Sequence, residues 1–234
     1  MRGPLTIAVA QPRCAVRDVA ANAVAHAVAV RAARARVVVF PELSLTGYEL
    51  DAPVVPPDDP RLSPLVEACA ETGTVALAGA PAGGAGGAAW IAMLAVDGAG
   101  VAVAYRKLYL GGAEPERFTP GAEPAVLEVD GWRLGLAVCK DTGVPEHAAR
   151  TVALGIDVYA AGVCEHERDA AVPGDRARRV AADHGVTVAV ASFAGPAGGE
   201  YVRTPGGSGI WAGDATVLAE AGPEPGAVVR ATLT

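Results

Sequence analysis

Leu134-Gly135-Leu136-Ala137-Val138-Cys139-Lys140-Asp141-Thr142-Gly143-Val144-Pro145-Glu146 is the stretch on which the reading of this chain turns. Its first half is a short, unbroken apolar run, the pattern of a strand buried on both faces. Its second half carries Gly143 and then Pro145, which marks a turn that opens into a helix. A strand that ends at Cys139 and enters a tight turn delivers a thiol to the rim of a sheet. The strand holds the sulfur, and nearby backbone N–H groups can face charge that develops on a reacting atom. A cysteine alone at such a place is ordinarily a small core residue, so its meaning depends on what other segments bring beside it.

Two other strand ends carry polar groups. Glu42 stands in Phe40-Pro41-Glu42-Leu43, just after Val37-Val38-Val39, and Lys107 stands in Tyr105-Arg106-Lys107-Leu108, at the close of another apolar run. Either residue alone would be read as a solvated surface charge. Three polar side chains from three strand ends can converge on one pocket, the usual place for chemistry on a sheet scaffold.

Hydrophobic periodicity extends the pattern outward. Thr6 to Gln11 reads as a strand, Asp18 to about Ala35 as an Ala-rich helix capped by Asp18, and Arg36 to Phe40 as a buried strand, a β-α-β unit. Ser63 as N-cap with Pro64 starts a second helix through Ala70, followed by a strand from Thr74 to Ala80. Gly83 to Gly87 is a flexible turn, and Ala88 to Val96 pairs with Val101 to Tyr105 as a hairpin across Asp97-Gly98. Beyond Cys139 come a helix from Pro145 to Leu154, a strand from Ile156 to Ala161, a helix from Asp175 to His184 and a strand from Val186 to Ser192. A hairpin from Ile210 to Ala219 turns at Gly213-Asp214. Two α/β halves plus hairpins predict two sheets packed face to face with helices outside.

Composition fits an α/β enzyme of one domain spanning 1–234: 51% of residues are hydrophobic and 19% charged, which is globular rather than disordered. A net charge of -7 argues against nucleic acid as a partner. The N-terminus lacks an apolar leader and no run is long enough to span a membrane, so a cytoplasmic protein is expected. The four cysteines, Cys14, Cys69, Cys139 and Cys164, form no C-x-x-C pair and signal neither a disulfide framework nor a zinc ribbon. Cys164-Glu165-His166 with His147 matches no compact metal spacing, and no Gly-rich phosphate fingerprint follows a strand, so neither a metal nor any other cofactor is expected. The basic groups Arg31, Arg34, Arg36 and Arg176, Arg178, Arg179 read as solvated charge.

The motifs resemble the carbon-nitrogen hydrolases, also called the nitrilase superfamily. Members show F-P-E-x-x-x-T-G-Y after a strand, then Y-R-K-x-x-L, then G-x-x-x-C-x-D-x-x-x-P-E. This chain has Phe40 to Tyr48, Tyr105 to Leu110, and Gly135 through Cys139 to Glu146, in that order. Weaker echoes are Ala8-Val9-Ala10-Gln11, Asn22, Phe118-Thr119-Pro120-Gly121 and Gly207-Ser208-Gly209-Ile210. The resemblance implies a four-layer α-β-β-α sandwich and a site in which Cys139 is the nucleophile, Glu42 the proton acceptor and Lys107 the positive charge. It also implies a second glutamate near Phe118, for which Glu114 and Glu116 compete; the commoner register favours Glu114, as a residue that orients substrate and steadies Lys107 and Glu42.

The expected activity is hydrolysis of a small amide, an ω-amide or an N-carbamoyl compound through a cysteine thioester. Nitrile hydrolysis, acyl transfer to an amine and a non-catalytic small-molecule binding protein are the alternatives. Nitrilases proper usually carry Trp-Glu after the cysteine, where this chain has Lys140-Asp141, which favours amides. Lys140 is expected either to select carboxylate-bearing substrates or to point outward, and Tyr48 to line the site together with loops from Glu49 to Asp59 and Cys164 to Pro173. The partner expected is a small-molecule amide-type substrate, and a homodimer is compatible with the sequence; the family's C-terminal extension that embraces a second subunit, and higher oligomers built by it, are not expected after Val228-Val229-Arg230.

Overall fold

The computed structural model describes residues 2–234. Its strands, in chain order, are β1 (Leu5–Gln11), β2 (Val37–Val39), β3 (Val75–Gly83), β4 (Ala89–Asp97), β5 (Gly100–Arg106), β6 (Val126–Val129) and β7 (Trp132–Val138). They continue with β8 (Val158–Val163), β9 (Thr187–Ser192), β10 (Ala194–Gly195), β11 (Thr204–Pro205), β12 (Gly209–Trp211), β13 (Val217–Glu220) and β14 (Ala227–Leu233). The helices are α1 (Val19–Ala33), α2 (Ser63–Thr72), α3 (Pro145–Val152) and α4 (Val172–His184). One six-stranded sheet has the order β14-β1-β2-β3-β4-β5 and the other the order β13-β12-β9-β8-β7-β6, and β10 and β11 form a two-stranded sheet.

Side-chain alternation along the strands produces the layers. Val37 and Val39 face inward, where they join Leu134, Leu136 and Val138 of the other sheet in the core between the sheets. Val38, between them, faces outward and packs with Ala8, Ala10 and the inner stripe of α1 and α2. On the other sheet Ala137, Tyr159 and Ala161 pack outward against Ala148 of α3 and Ala177, Val180 and Ala181 of α4. Three apolar layers between four layers of secondary structure make the expected α-β-β-α sandwich. Helices flank both sheets because parallel strands such as β1, β2 and β3 require crossovers that cover their faces.

Local signals explain the element ends. Asp18 caps α1 by accepting the Ala21 N–H at 3.0 Å. The helix stops at Ala33 rather than Ala35, because Arg34 turns left-handed at φ 47°. Ser63 is not an N-cap: a short 3-10 turn, Pro60–Leu62, precedes α2, and Asp59 caps that turn by accepting from Arg61 N. Helix α4 begins at Val172, earlier than the periodicity indicated, with Pro173 in its first turn. Asp97 holds the β4–β5 turn by accepting from Ala99 and Gly100 N–H.

Four strands went unread in the sequence: β6, β14 and the two-residue β10 and β11. β6 has only four residues, and β14 alternates weakly, with Leu233 its one buried residue. β14 pairs antiparallel with β1 from Leu5 opposite Leu233 to Gln11 opposite Ala227, closing that edge of the sheet with the last strand of the chain. No helix among the described residues is long and apolar enough to cross a membrane.

Candidate functional site

Glu42, Lys107 and Cys139 each follow the C-terminal end of a strand: β2, β5 and β7. The turn that holds Glu42 passes between the two sheets where neither offers a side chain. A Cβ on Gly79 of β3 would lie 2.3 Å from Leu43 N, and a Cβ on Gly162 of β8 would lie 2.4 Å from Phe40 O. Those two glycines are what let the backbone through. Leu43 then takes a left-handed φ of 51°, which turns the chain back so that Leu45 N–H bonds Gly79 O at 2.9 Å.

Lys107 is drawn in by its own backbone. Its N–H donates to Ile91 O and its carbonyl accepts from Gly121 N, both at 2.8 Å. Its ammonium is almost wholly buried and donates to Glu42 Oε1 at 2.7 Å and to Glu114 Oε1 at 2.6 Å. Glu114 also accepts from the Tyr48 hydroxyl at 2.5 Å, and its other oxygen accepts from Gly111 N–H at 2.8 Å. Glu116, the competing carboxylate, points to solvent.

Glu42 Oε2 is buried with no hydrogen-bond partner among the described residues. Burial raises the Glu42 carboxyl to about 7; Lys107 opposes the rise and the Glu114 charge adds to it. Burial by itself would lower the Lys107 pKa, but Glu42, Cys139 and Glu114 together hold it above the ordinary lysine value, so the ammonium stays charged.

Cys139 sits in the left-handed region itself, at φ 42°, an uncommon conformation for a side-chain-bearing residue and one that cannot be read from residue type. Its Sγ donates to Cys164 O at 3.4 Å and lies 3.9 Å from Glu165 Oε1. Burial, then the Glu42 charge, push the thiol well above its usual pKa, while Lys107 pulls it down. A neutral thiol therefore rests beside a carboxylate that titrates near neutrality and an ammonium that does not, a set suited to passing one proton and meeting one developing negative charge.

The turn after Cys139 is braced by groups to which the sequence reading gave no part in the site. Asp141, fully buried, accepts N–H bonds from Val138 and Tyr109, both at 2.9 Å, and an O–H bond from Tyr105 at 2.8 Å. His147 lies between two tyrosines, with Nε2 2.9 Å from the Tyr105 hydroxyl and Nδ1 2.8 Å from that of Tyr159. With Tyr105 donating to Asp141, the consistent tautomer has His147 Nε2–H donating to Tyr105 and Nδ1 accepting from Tyr159. Burial lowers the His147 pKa, which keeps the ring neutral. Only the spacing of apolar and polar positions on α3, where His147 faces inward, could have pointed to it.

Cys139, Lys107 and Glu114 open into a pocket of about 210 Å³. Lys107, Glu114 and Cys139 line its floor; Tyr48, Lys140, Glu165, Arg176 and Tyr201 are among its wall residues. The loop from Glu49 to Asp59 contributes Leu50, and the loop from Cys164 contributes Cys164 and Glu165. Lys140 is at the exposed mouth, where its ammonium donates to Leu110 O at 2.6 Å instead of projecting freely into the pocket. Arg176, read from sequence as solvated charge, is paired with Glu165 at 2.7 Å. Among the described residues no three His, Cys, Asp or Glu side chains are grouped so as to hold a metal ion.

The carbon-nitrogen hydrolase family model matches residues 6–234. A hydrolase encoded in the 5′ region of pqqF in Pseudomonas protegens is 30% identical over 231 residues, covering 94% of this chain and 80% of that protein. Among solved structures, a Glu-to-Gln, Cys-to-Ala double variant of an amidase from Nesterenkonia sp. AN1, in complex with acrylamide, superposes with a TM-score of 0.87. It is 26% identical, with all of this chain and 92% of that one covered. The Glu-to-Gln variant of the same amidase, which shows the acetamide moiety of fluoroacetamide covalently added at its active-site cysteine, gives a TM-score of 0.84 at 26% identity, with 98% of this chain and 90% of that one covered.

Proposed function

The chain belongs to the carbon-nitrogen hydrolases, and from that membership and the geometry of its buried site we propose that it cleaves the carbon-nitrogen bond of a small amide-type substrate through a Cys139 thioester. The observation that carries the reading is Glu42 Oε2, a buried carboxylate oxygen beside Lys107 and the Cys139 pocket that has no partner among the described residues. An unpaired buried acceptor costs about 1–3 kcal/mol, and a base that must receive a proton accounts for that cost.

In this mechanism Glu42 takes the Cys139 thiol proton as the sulfur attacks the carbonyl carbon. Negative charge moves to the carbonyl oxygen, where the Lys107 ammonium and the backbone N–H of Lys140 stabilise it. The tetrahedral adduct collapses, the carbon-nitrogen bond breaks, and Glu42 gives its proton to the departing ammonia or amine. Glu42 then deprotonates water, which attacks the thioester; the carboxylic acid leaves and the proton returns to the sulfur. Glu114 acts as a positioning residue: it shares the Lys107 ammonium with Glu42, is oriented by Tyr48, and fixes where the positive charge points.

A pocket of about 210 Å³ supports a substrate of only a few non-hydrogen atoms beyond the amide. The amidase of this fold that accommodates acrylamide and the acetamide moiety supports the same class. The test is ammonia release and intact protein mass together, with wild type, Cys139→Ala and Glu42→Gln given acetamide, propionamide, an ω-amidodicarboxylate, an N-carbamoyl amino acid and a nitrile. Ammonia from the amides with a loss of roughly 10³-fold or more in both variants is expected. Equal release by wild type and Cys139→Ala would end the proposal, and release from the nitrile alone would redirect it.

A further inference from the structure

The proton shuttle makes no use of Glu165, although its Oε1 lies 3.9 Å from Cys139 Sγ. Glu165 follows β8 and is held by Arg176 of α4, whose Nη1 donates to the same Oε1 at 2.7 Å. Both side chains are largely shielded, at 16% exposed for Glu165 and 28% for Arg176, and both line the pocket. Burial raises the Glu165 carboxyl while Arg176 pulls it down. A carboxylate this close to the sulfur works against the attack step, because its charge makes the thiol harder to ionise. That cost calls for an offsetting gain in substrate binding. Arg176 occupies Oε1, and no protein donor is bonded to Oε2 among the described residues, so the pair offers a fixed acceptor beside the reacting carbon.

We propose that Glu165, oriented by Arg176, is a specificity-determining residue that selects amides whose acyl side, apart from the leaving nitrogen, carries an N–H or ammonium donor one or two bonds from the scissile carbonyl carbon. This rests on the reading of Cys139 as the nucleophile of a carbon-nitrogen hydrolase. A carbonyl carbon poised for attack stands about 3–3.5 Å from the sulfur. A nitrogen one or two bonds further along then falls within hydrogen-bond reach of a carboxylate whose nearer oxygen is 3.9 Å from the same sulfur. An apolar carbon at that position leaves the acceptor stripped of water and unpaired, which binding energy must offset.

Propionamide, N-methylurea and glycinamide have the same number of non-hydrogen atoms and differ at that position: methylene chain, N–H one bond away, ammonium two bonds away. Their dissociation constants for Cys139→Ala, measured by calorimetry at millimolar ligand, read the subsite without turnover. At least one donor ligand should bind on the order of ten-fold tighter than propionamide; preference for N-methylurea alone identifies a ureido-type substrate, and preference for glycinamide alone an α-amino amide. Adding Glu165→Gln should erase the preference, since the amide keeps its oxygen on Arg176 and turns its NH2 toward the pocket. Should that variant not fold by circular dichroism, Arg176→Gln, which releases Glu165, is expected to reduce the preference as well. Equal or undetectable binding of all three ligands, or a preference that survives the substitutions, overturns the assignment. Ammonia release by wild type from the same compounds is read separately: silence there with the preference intact would overturn the hydrolytic reading and leave the subsite standing.

Discussion

The turn that carries Glu42 and the turn that carries Cys139 solve one problem by different means. Each follows a strand that pairs in parallel with a neighbour, β2 and β7, each contains a left-handed residue, and each is backed by a buried histidine. At Glu42 the left-handed residue is the neighbour, Leu43, and the turn is placed by close packing between Gly79 and Gly162. His26 supports it indirectly: its Nδ1–H donates to Asn22 O at 2.7 Å, and its Nε2 accepts from Ser44 Oγ at 2.8 Å. At Cys139 the left-handed residue is the cysteine itself, and the turn is placed by the hydrogen bonds that Asp141 collects. One turn depends on atoms that are missing, the other on polar partners that are present.

The sharpest way to break the comparison is to fill the gap. Gly162→Ala puts a methyl 2.4 Å from Phe40 O, so the Glu42 turn must shift or the sheets must part. A stability loss of about 2–4 kcal/mol in urea denaturation and a fall in activity on the order of 10²-fold are expected; normal activity would mean that close packing does not position Glu42. Asp141→Asn tests the other turn. An amide accepts through one oxygen only, leaving some of the Val138, Tyr109 and Tyr105 donors unpaired, at a cost of about 1–3 kcal/mol and roughly ten-fold or more in kcat. An unchanged kcat would show that the backbone of the turn, not Asp141, sets the sulfur.

The two turns also differ in how they respond to pH. In the proposed mechanism Glu42 must be ionised to accept the thiol proton, and its pKa is raised to about 7, so kcat/KM should rise with pH up to that value and level off above it. Below it the fall approaches ten-fold per pH unit, about 1.4 kcal/mol. Glu114→Gln removes a charge that raises the Glu42 pKa, and should move this limb to lower pH; a limb that stays put would assign it to another group.

The effect with the least bearing on activity concerns the brace behind Glu42. Burial lowers the His26 pKa from 6.5 to about 4. The unfolded chain therefore binds the extra proton first, and the stability His26 contributes is whole above pH 6.5 and lost as pH falls toward 4. Glu42, whose pKa is raised, contributes with the opposite sign, its share being lost as pH rises toward 7. Comparing wild type with His26→Gln cancels the Glu42 contribution. The difference in stability between them should shrink by up to about 1.4 kcal/mol per pH unit on acidification from 6.5 toward 4. A difference independent of pH would mean that His26 is not held neutral.

The sequence by itself determined the alternation that sorts Val37, Val38 and Val39 between two apolar layers, the strand ends at Glu42, Lys107 and Cys139, and the crossovers that put helices outside the sheets. Those are local properties: a period of two, a capping Asp18, a Gly or Pro where a strand must stop. β14 escaped because its residues are only partly buried and its strand character comes from pairing with β1, at the far end of the chain. Glu114 could be preferred over Glu116 by register, but only the Lys107 ammonium and the Tyr48 hydroxyl decide which carboxylate is inside. Arg176 looked like solvated charge until α4 set it against Glu165, and Lys140 looked like a free cation until Leu110 offered its carbonyl. The left-handed backbone at Cys139, the passage between Gly79 and Gly162 and the raised pKa of Glu42 were decided by tertiary structure alone. Each is set by what surrounds a residue at distances of a few ångströms, and those neighbours come from segments remote in the chain.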